Sequence, residues 1–221
     1  MTSLHSALAG SLVAMIGLVG CFGDSGASEA PIPDSQTTSK SGGIQKAVLA
    51  GGCFWGVDAV FKHVRGVTRV LSGYSGGSAE TARYDKVSMG STGHAESVEI
   101  TFDSSVVSYA TLLKVFFSVA HNPTEHNRQG PDVGTQYRSA IFTTDPEQQR
   151  VAEAYIAQLN SSGVFKKPIA TQVLPLMAFY AAEDYHQNFL ETHPDYPYIV
   201  YNDIPKLVSL KKLYPDLWQD L

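Results

Sequence analysis

The sequence predicts an α+β fold in which helices pack on a mixed β-sheet. Three observations support this prediction. Short runs of β-favouring residues alternate along the chain with longer segments that have helical spacing. Hydrophobic residues make up 43% of the 221 residues, which is enough to build a buried core. The chain has only two cysteines, so apolar packing and not a disulfide framework must hold the fold together.

The first predicted elements are a strand and a helix. Starting near Ile44, the run KAVLAGG is a short apolar strand that ends in two glycines, as a buried strand does before a tight turn. Apolar residues then recur at i, i+3, i+4 and i+7, which predicts an amphipathic helix. These residues are Val57, Val60, Phe61 and Val64. Cys53 therefore lies at or just before the first turn of a helix that we expect to end at Gly66.

The remaining elements extend the same pattern. We predict further strands at residues 67–74, 95–102, 138–142 and 170–174 from their β-favouring or alternating residues. A helix over residues 108–120 follows a serine start signal, and another over residues 146–159 opens with Asp145 and a first-turn proline. This order of strands and helices predicts a ferredoxin-like two-layer sandwich with additions.

The beginning of the chain has the features of an export signal. Residues 7–20 form an apolar run of signal-peptide length, too short to cross a bilayer comfortably. The run ends in LVGC, which resembles the lipobox of bacterial lipoproteins, where the signal is removed before a lipid-bearing cysteine. We expect a signal peptide over residues 1–20 and lipid on Cys21, although no Lys or Arg precedes the run. The alternatives are a plain secretory signal cut near Ala27 or Ala30, and a retained amphipathic or core segment.

Three segments are therefore expected. Residues 22–43 are dominated by Gly, Ser, Thr, Pro and Asp, the composition of a solvated linker. The signal peptide is followed by a lipid-anchored flexible linker over residues 21–43 and by a catalytic domain over residues 44–221. This organisation predicts a bacterial envelope protein that is anchored by lipid and faces the periplasm, or alternatively a soluble periplasmic protein.

Cys53 is the strongest candidate for a chemically active residue. If Cys21 carries lipid, Cys53 is the only thiol left in the mature chain. A cysteine at a helix start has backbone N–H groups and the positive end of the helix dipole directed at its sulfur, which favours the thiolate. Phe54 and Trp55 add an apolar wall beside it. The alternative is a small buried structural cysteine.

Two other classes of function are disfavoured. The formal net charge is −5, and the chain lacks the basic excess that nucleic-acid binding usually needs. Four histidines could suggest a metal site, but none of them forms an H-x-x-x-H or H-E-x-x-H pair, and one cysteine cannot complete a zinc set. These histidines are His94, His121, His126 and His186. We therefore expect neither nucleic acid nor metal.

Four motifs resemble type A peptide methionine sulfoxide reductases. They are GGCFWG at residues 51–56, TGHAE at 92–96, RQGPDVGTQYRSAIF at 128–142 and AEDYHQ at 182–187. The resemblance runs in order from about Lys46 to Trp218. It implies thiol-dependent reduction of methionine S-sulfoxide, free or in proteins, and hence repair of oxidised proteins under oxidative stress.

The resemblance also implies a set of site residues. Cys53 is implied as the nucleophile that attacks the sulfoxide sulfur, with Phe54 and Trp55 as the apolar pocket for the substrate methyl group. Four polar residues are implied around the sulfoxide oxygen: Glu96, Tyr84, Tyr137 and Asp132. Because the departing oxygen gains charge, a protonated carboxyl suits it best. We therefore predict that burial raises the pKa of Glu96.

The cysteine count predicts how the enzyme is reset. Many relatives carry extra cysteines near the C-terminus, but the tail here, YIVYNDIPKLVSLKKLYPDLW, contains none. No cofactor is expected, and a Cys53 sulfenic acid must then be reduced by an external thiol, either a small thiol or a thioredoxin-like protein. Oxidised proteins and free methionine sulfoxide are the expected substrates, and a monomer is the expected state.

Two alternative functions remain open at the level of sequence. A lone activated cysteine with histidines elsewhere is also typical of Cys–His acyl hydrolases, with His94 or His186 as the base. A lipid-anchored binding module could use the aromatic GCFWG segment to capture methionine-like side chains without turnover. Turnover of free methionine sulfoxide with dithiothreitol distinguishes the three.

Overall fold

The computed structural model describes residues 42–221. The predicted signal peptide, Cys21 and nearly all of the predicted linker lie outside the described residues. Within residues 42–221, no helix is both long enough and apolar enough to cross a membrane.

Eight strands and six α-helices make up the described chain. The strands are Ile44–Gly51 (β1), Val67–Ser75 (β2), Ala95–Asp103 (β3), Arg128–Gln129 (β4), Asp132–Val133 (β5), Ser139–Thr143 (β6), Gln172–Pro175 (β7) and Phe179–Ala181 (β8). The α-helices are Phe54–Lys62 (α1), Tyr84–Val87 (α2), Tyr109–Val115 (α3), Pro146–Ser162 (α4), Phe189–Thr192 (α5) and Ile204–Leu213 (α6). Two π-helical turns, Phe116–Ala120 and Ile199–Asp203, extend α3 and precede α6.

Six of the strands form one sheet in the order β7-β6-β1-β3-β2-β8. Each of its four central strands, β6, β1, β3 and β2, runs antiparallel to its neighbours among the four. With α1 and α3 these strands follow the βαββαβ order of a ferredoxin-like sandwich. At one edge β7 pairs with β6 in parallel, and at the other β8 pairs with β2 antiparallel. The sheet is therefore mixed, and the predicted α+β fold with a ferredoxin-like core and additions is confirmed.

Strand β1 is apolar on both faces because both faces of the sheet are covered. Its residues Ala47 and Leu49 belong to the large core shared with the helices, while Val48 and Ala50 belong to a smaller cluster on the opposite face. This double burial explains why the KAVLAGG run is continuously apolar instead of alternating.

The predicted helix starts are confirmed at α3 and α4. Ser108 Oγ accepts a hydrogen bond from the Thr111 N–H at 3.0 Å, and Asp145 Oδ1 accepts one from the Gln148 N–H at 2.9 Å. Each side chain satisfies a donor that the first helical turn leaves free.

The predicted end of α1 at Gly66 is wrong, since the helix already ends at Lys62. The next residue, His63, stacks on Trp218 with ring centroids 4.3 Å apart, and its Nδ1 lies 2.8 Å from the Gln219 carbonyl oxygen. Val64 remains fully buried outside the helix. The contact with the C-terminal segment therefore ends α1 before Gly66, where the local sequence predicts the end of the helix.

Candidate active site

Cys53 lies where β1 turns into α1, as its N-cap residue. Gly52 makes this turn with φ +91°, in the region that glycine adopts most readily. On the following turn, Gly56 leaves room for a neighbour, because an added Cβ would overlap Asp203 Oδ1. The glycines around the cysteine therefore allow a sharp turn on one side and close approach of a buried carboxylate on the other.

The surroundings of Cys53 favour the thiol over the thiolate, so the predicted preference for thiolate is wrong for the resting site. Burial raises the pKa of Cys53 well above its ordinary value, and the charges of Glu96 and Asp203 raise it further. A hydrogen bond from the Trp55 backbone N–H and the Lys206 ammonium group act in the opposite direction. The helix terminus does stabilise the anion, but the loss of solvent outweighs it.

Glu96 lies on β3, opposite Tyr74 of β2, and only 2% of it is exposed. Its Oε2 accepts a hydrogen bond from the Phe54 N–H at 3.1 Å. Burial raises the pKa of Glu96 to about 8, and the charge of Asp132 adds to this rise, while the Phe54 N–H opposes it. The predicted rise is confirmed, and Glu96 is mostly protonated at neutral pH.

The two phenols and the second carboxyl that the family resemblance implied face the same region. Burial and then the charge of Glu96 raise the pKa of both Tyr84 and Tyr137, and Cys53 and Asp132 add to each rise. Burial also raises the pKa of Asp132, whose Oδ2 accepts a hydrogen bond from the Tyr198 hydroxyl. The fold thus brings Tyr84, Asp132 and Tyr137 together around Cys53 and Glu96.

Phe54 and Trp55 form the apolar side of the site. Phe54 is buried, and Trp55 is held by aromatic neighbours, stacking on Phe189 with ring centroids 3.7 Å apart. The Trp55 Nε1–H donates to His186 Nδ1 at 3.2 Å, which fixes the indole in one orientation. An oriented indole beside a buried thiol gives a small apolar group a defined place to bind.

Sequence patterns assigned no role in this reaction to three residues of the site, Tyr198, Glu183 and His186. Tyr198 contacts Asp132 and lies edge-on to Trp55, with ring centroids 5.9 Å apart. Glu183 accepts from the Tyr74 hydroxyl and from the Tyr84 N–H, both at 2.9 Å. Glu183 and His186 belong to the AEDYHQ motif, which was a usable signal, whereas no motif pointed to Tyr198.

Of the two histidines proposed as hydrolase bases, His94 has both ring nitrogens engaged with backbone groups, whereas the buried Nε2 of His186 has no hydrogen-bond partner. His94 Nδ1 accepts from the Gly77 N–H at 3.2 Å, and its Nε2 lies 3.0 Å from the Ser78 carbonyl oxygen. His186 Nδ1 is occupied by Trp55. Within residues 42–221, no three His, Cys, Asp or Glu side chains are grouped so that they could hold a metal ion.

Comparison with known proteins identifies the family. A family model described as peptide methionine sulfoxide reductase matches residues 45–216. A peptide methionine sulfoxide reductase MsrA 2 of Mesorhizobium japonicum is 54% identical over 178 residues, which cover 80% of this chain and 91% of the relative. The MsrA 2 of Synechocystis is 54% identical over 187 residues, covering 84% of this chain and 87% of the relative.

Solved structures agree with the sequence relatives. Methionine sulfoxide reductase A of Corynebacterium diphtheriae has a TM-score of 0.61 and 31% identity, covering 77% of this chain and 90% of that one. Reduced Mxr1 from Saccharomyces cerevisiae has a TM-score of 0.62 and 30% identity, covering 69% and 87%. The chain therefore belongs to the type A peptide methionine sulfoxide reductase family and catalyses the thiol-dependent reduction of methionine sulfoxide.

Proposed function

We propose that Cys53 is the nucleophile and that Glu96 is the acid of this reaction. The observation that carries the proposal is the burial of the Cys53 thiol and of the Glu96 carboxyl, which accepts at 3.1 Å from the backbone N–H of Phe54, the residue after Cys53. The Cys53 sulfur attacks the sulfoxide sulfur and forms a sulfur–sulfur bond, and the sulfur–oxygen bond of the substrate breaks. The protonated oxygen then bonds to the Cys53 sulfur as the sulfur–sulfur bond breaks. Methionine leaves, and the cysteine is oxidised to a sulfenic acid.

The protonation states of Cys53 and Glu96 in the resting site suit this step. Because the pKa values of both Cys53 and Glu96 are raised, the site starts with two neutral acids. Glu96 donates its proton to the sulfoxide oxygen as charge develops there, and the proton lost by Cys53 restores Glu96. Tyr84 and Tyr137 supply further hydroxyl donors near the same oxygen. No proton has to come from solvent during the attack.

The remaining site residues position the substrate. Phe54 and Trp55 receive the methyl group, and His186 holds the Trp55 indole through its 3.2 Å hydrogen bond. Asp132 and Tyr198 form the polar rim opposite Trp55, where their hydrogen bond fixes both side chains. We call these six residues the sulfoxide pocket: Phe54, Trp55, Tyr84, Glu96, Asp132 and Tyr137. One chain supplies the whole pocket, which suits a monomer.

We propose that the sulfenic acid is resolved by a thiol from outside the chain. Cys53 is the free cysteine of the described residues, and the sequence after it contains no other. A small thiol or the thiol of a thioredoxin-like protein attacks the Cys53 sulfur and releases water. A second thiol then reduces the mixed disulfide and restores Cys53.

Single turnover tests this cycle. The reduced full chain is mixed with methionine sulfoxide without reductant, and mass spectrometry reads the product and the state of each cysteine. We expect one methionine per chain and a dimedone adduct at Cys53, with neither in Cys53→Ser. A Cys21–Cys53 disulfide, or more than one methionine per chain, would contradict the single-cysteine cycle.

We further propose that lipid on Cys21 anchors the enzyme to a membrane of the bacterial envelope, facing the periplasm. The LVGC sequence and the linker-like composition of residues 22–43 support this. Cell fractionation should find the full chain in the membrane fraction, released by Cys21→Ser but not by salt. A soluble mature form that starts at Ser28 or Pro31 would replace this proposal with a plain secretory signal.

A further inference from the structure

A cleft beside Cys53 is lined by residues other than those of the sulfoxide pocket. It is a cleft of about 740 Å³ that has Cys53 on its wall and is bordered by the segment after α4 and by the start of α6. None of the six residues of the sulfoxide pocket is among the described residues that line it. Tyr198 lines the cleft and its ring also lies edge-on to Trp55, so this side chain lies between the cleft and the sulfoxide pocket residue Trp55.

The charged groups of this cleft are mainly cationic. Lys166 and Lys167 are exposed at its rim, and Lys206 lies deeper, 3.0 Å from Asp203 Oδ1. Glu125 is the acidic residue of the described lining, and its carboxylate already accepts from the Gly130 N–H at 2.9 Å. Because Lys206 is paired with Asp203, the excess positive charge of the lining comes from Lys166 and Lys167, on a chain whose net charge is −5. We call this feature the lysine cleft.

The geometry of the attack of an external thiol on the Cys53 sulfenic acid indicates a function for the lysine cleft. The oxygen of the sulfenic acid comes from the substrate, so it starts on the side of Glu96 and the two phenols. Displacement at sulfur requires the incoming thiol, the Cys53 sulfur and the departing oxygen to lie roughly in line. The incoming thiol must therefore reach the Cys53 sulfur away from that oxygen, and the lysine cleft has Cys53 in its lining but none of the six residues of the sulfoxide pocket.

We propose that the lysine cleft is the binding site for a small anionic thiol, a carboxylate-bearing molecule of low molecular weight that resolves the sulfenic acid. This inference rests on the single-cysteine cycle proposed above and names the reductant class for it. The thiolate attacks the Cys53 sulfur, a sulfur–sulfur bond forms, and the hydroxyl leaves as water after taking a proton. A second molecule of the same thiol attacks the small-molecule sulfur of the mixed disulfide, which releases the Cys53 thiolate beside Lys206 and a disulfide of two small thiols.

Three thiols of different charge test the proposal: glutathione as the anion, neutral dithiothreitol, and cationic cysteamine. The sulfenic acid of the full chain is formed with one equivalent of substrate, and its rate of loss to each thiol is measured by dimedone competition at about 10 mM ionic strength. The variant carries Lys166→Glu and Lys167→Glu, both in an exposed loop. The matched control carries Lys211→Glu and Lys212→Glu, which make the same charge change on exposed residues outside the lysine cleft.

In the Lys166→Glu/Lys167→Glu variant, the glutathione rate divided by the dithiothreitol rate should fall about fivefold, because the new negative charges repel the anion. The cysteamine rate divided by the dithiothreitol rate should rise by a similar factor. Both changes should shrink at high salt, and the control should show neither. Equal ratios in the variant and the wild type, or an equal change in the control, would overturn the proposed site. Failure of the wild type to form any sulfenic acid would instead overturn the single-cysteine cycle, so the two failures are distinguishable.

Discussion

Replacing Glu96 by Gln tests whether the buried carboxyl acts as a proton donor. The substitution keeps a side-chain oxygen that can accept from the Phe54 N–H, so the 3.1 Å contact with α1 can persist. It also keeps an N–H donor for the sulfoxide oxygen but removes the transferable proton. Since general-acid catalysis commonly contributes about 10²–10⁴-fold, we expect a fall in kcat/KM of about a hundredfold, with activity still measurable. Cys53→Ser should abolish reduction.

The pH profile makes this prediction specific. With the pKa of Glu96 raised to about 8, roughly a tenth of the carboxyl is ionised at pH 7 and roughly nine-tenths at pH 9. Wild-type kcat/KM should therefore fall about tenfold per pH unit above pH 8, whereas Glu96→Gln should lose this decline. The matched control is Glu99→Gln on the same strand, whose carboxylate pairs with exposed Lys46 at 2.8 Å and which should behave like the wild type.

The assay is the initial rate of methionine formation with dithiothreitol in excess, followed by chromatography from pH 6 to 10. A decline above pH 8 that survives in Glu96→Gln would show that another group supplies the proton. A Glu96→Gln variant as inactive as Cys53→Ser would show that proton transfer, and not hydrogen bonding, is indispensable.

Three further predictions follow from single contacts. Burial raises the folded-state pKa of Glu96 from 4.5 to about 8, so between these pH values the unfolded chain loses a proton that the folded chain keeps. The unfolding free energy of the wild type, measured by urea titration, should therefore fall by up to a few kcal/mol relative to that of Glu96→Gln as the pH rises from about 5 to 8. Gly56→Ala should lower the unfolding free energy by about 2 kcal/mol in the same titration, because the new Cβ overlaps Asp203 Oδ1; an unchanged midpoint would mean that the carboxylate moves aside. Tyr198→Phe should lower kcat/KM about fivefold by removing the donor to Asp132, whereas Tyr201→Phe, at an exposed position, should not; equal effects would remove Tyr198 from the site.

Local patterns in the sequence determined much of the fold. The start of α3 at Ser108 and that of α4 at Asp145 are where the sequence placed them, because a cap is a contact between neighbours in the chain. The apolar run of β1 and the glycine turn before Cys53 are local in the same sense. The sequence alone also shows that no cysteine follows Cys53, and the proposed requirement for an external thiol rests on this.

The tertiary structure decided the chemistry of the site. The position of Cys53 at a helix start predicted a thiolate, yet burial together with Glu96 and Asp203 raises its pKa, and Asp203 comes from a distant turn. The contact of Tyr198 with Asp132 and the lysine cleft likewise join segments that no local pattern connects. Helix starts depend on a few adjacent residues, whereas desolvation depends on every element packed around a group. The sequence therefore pointed to Cys53 as the candidate nucleophile, and only the fold set its protonation state.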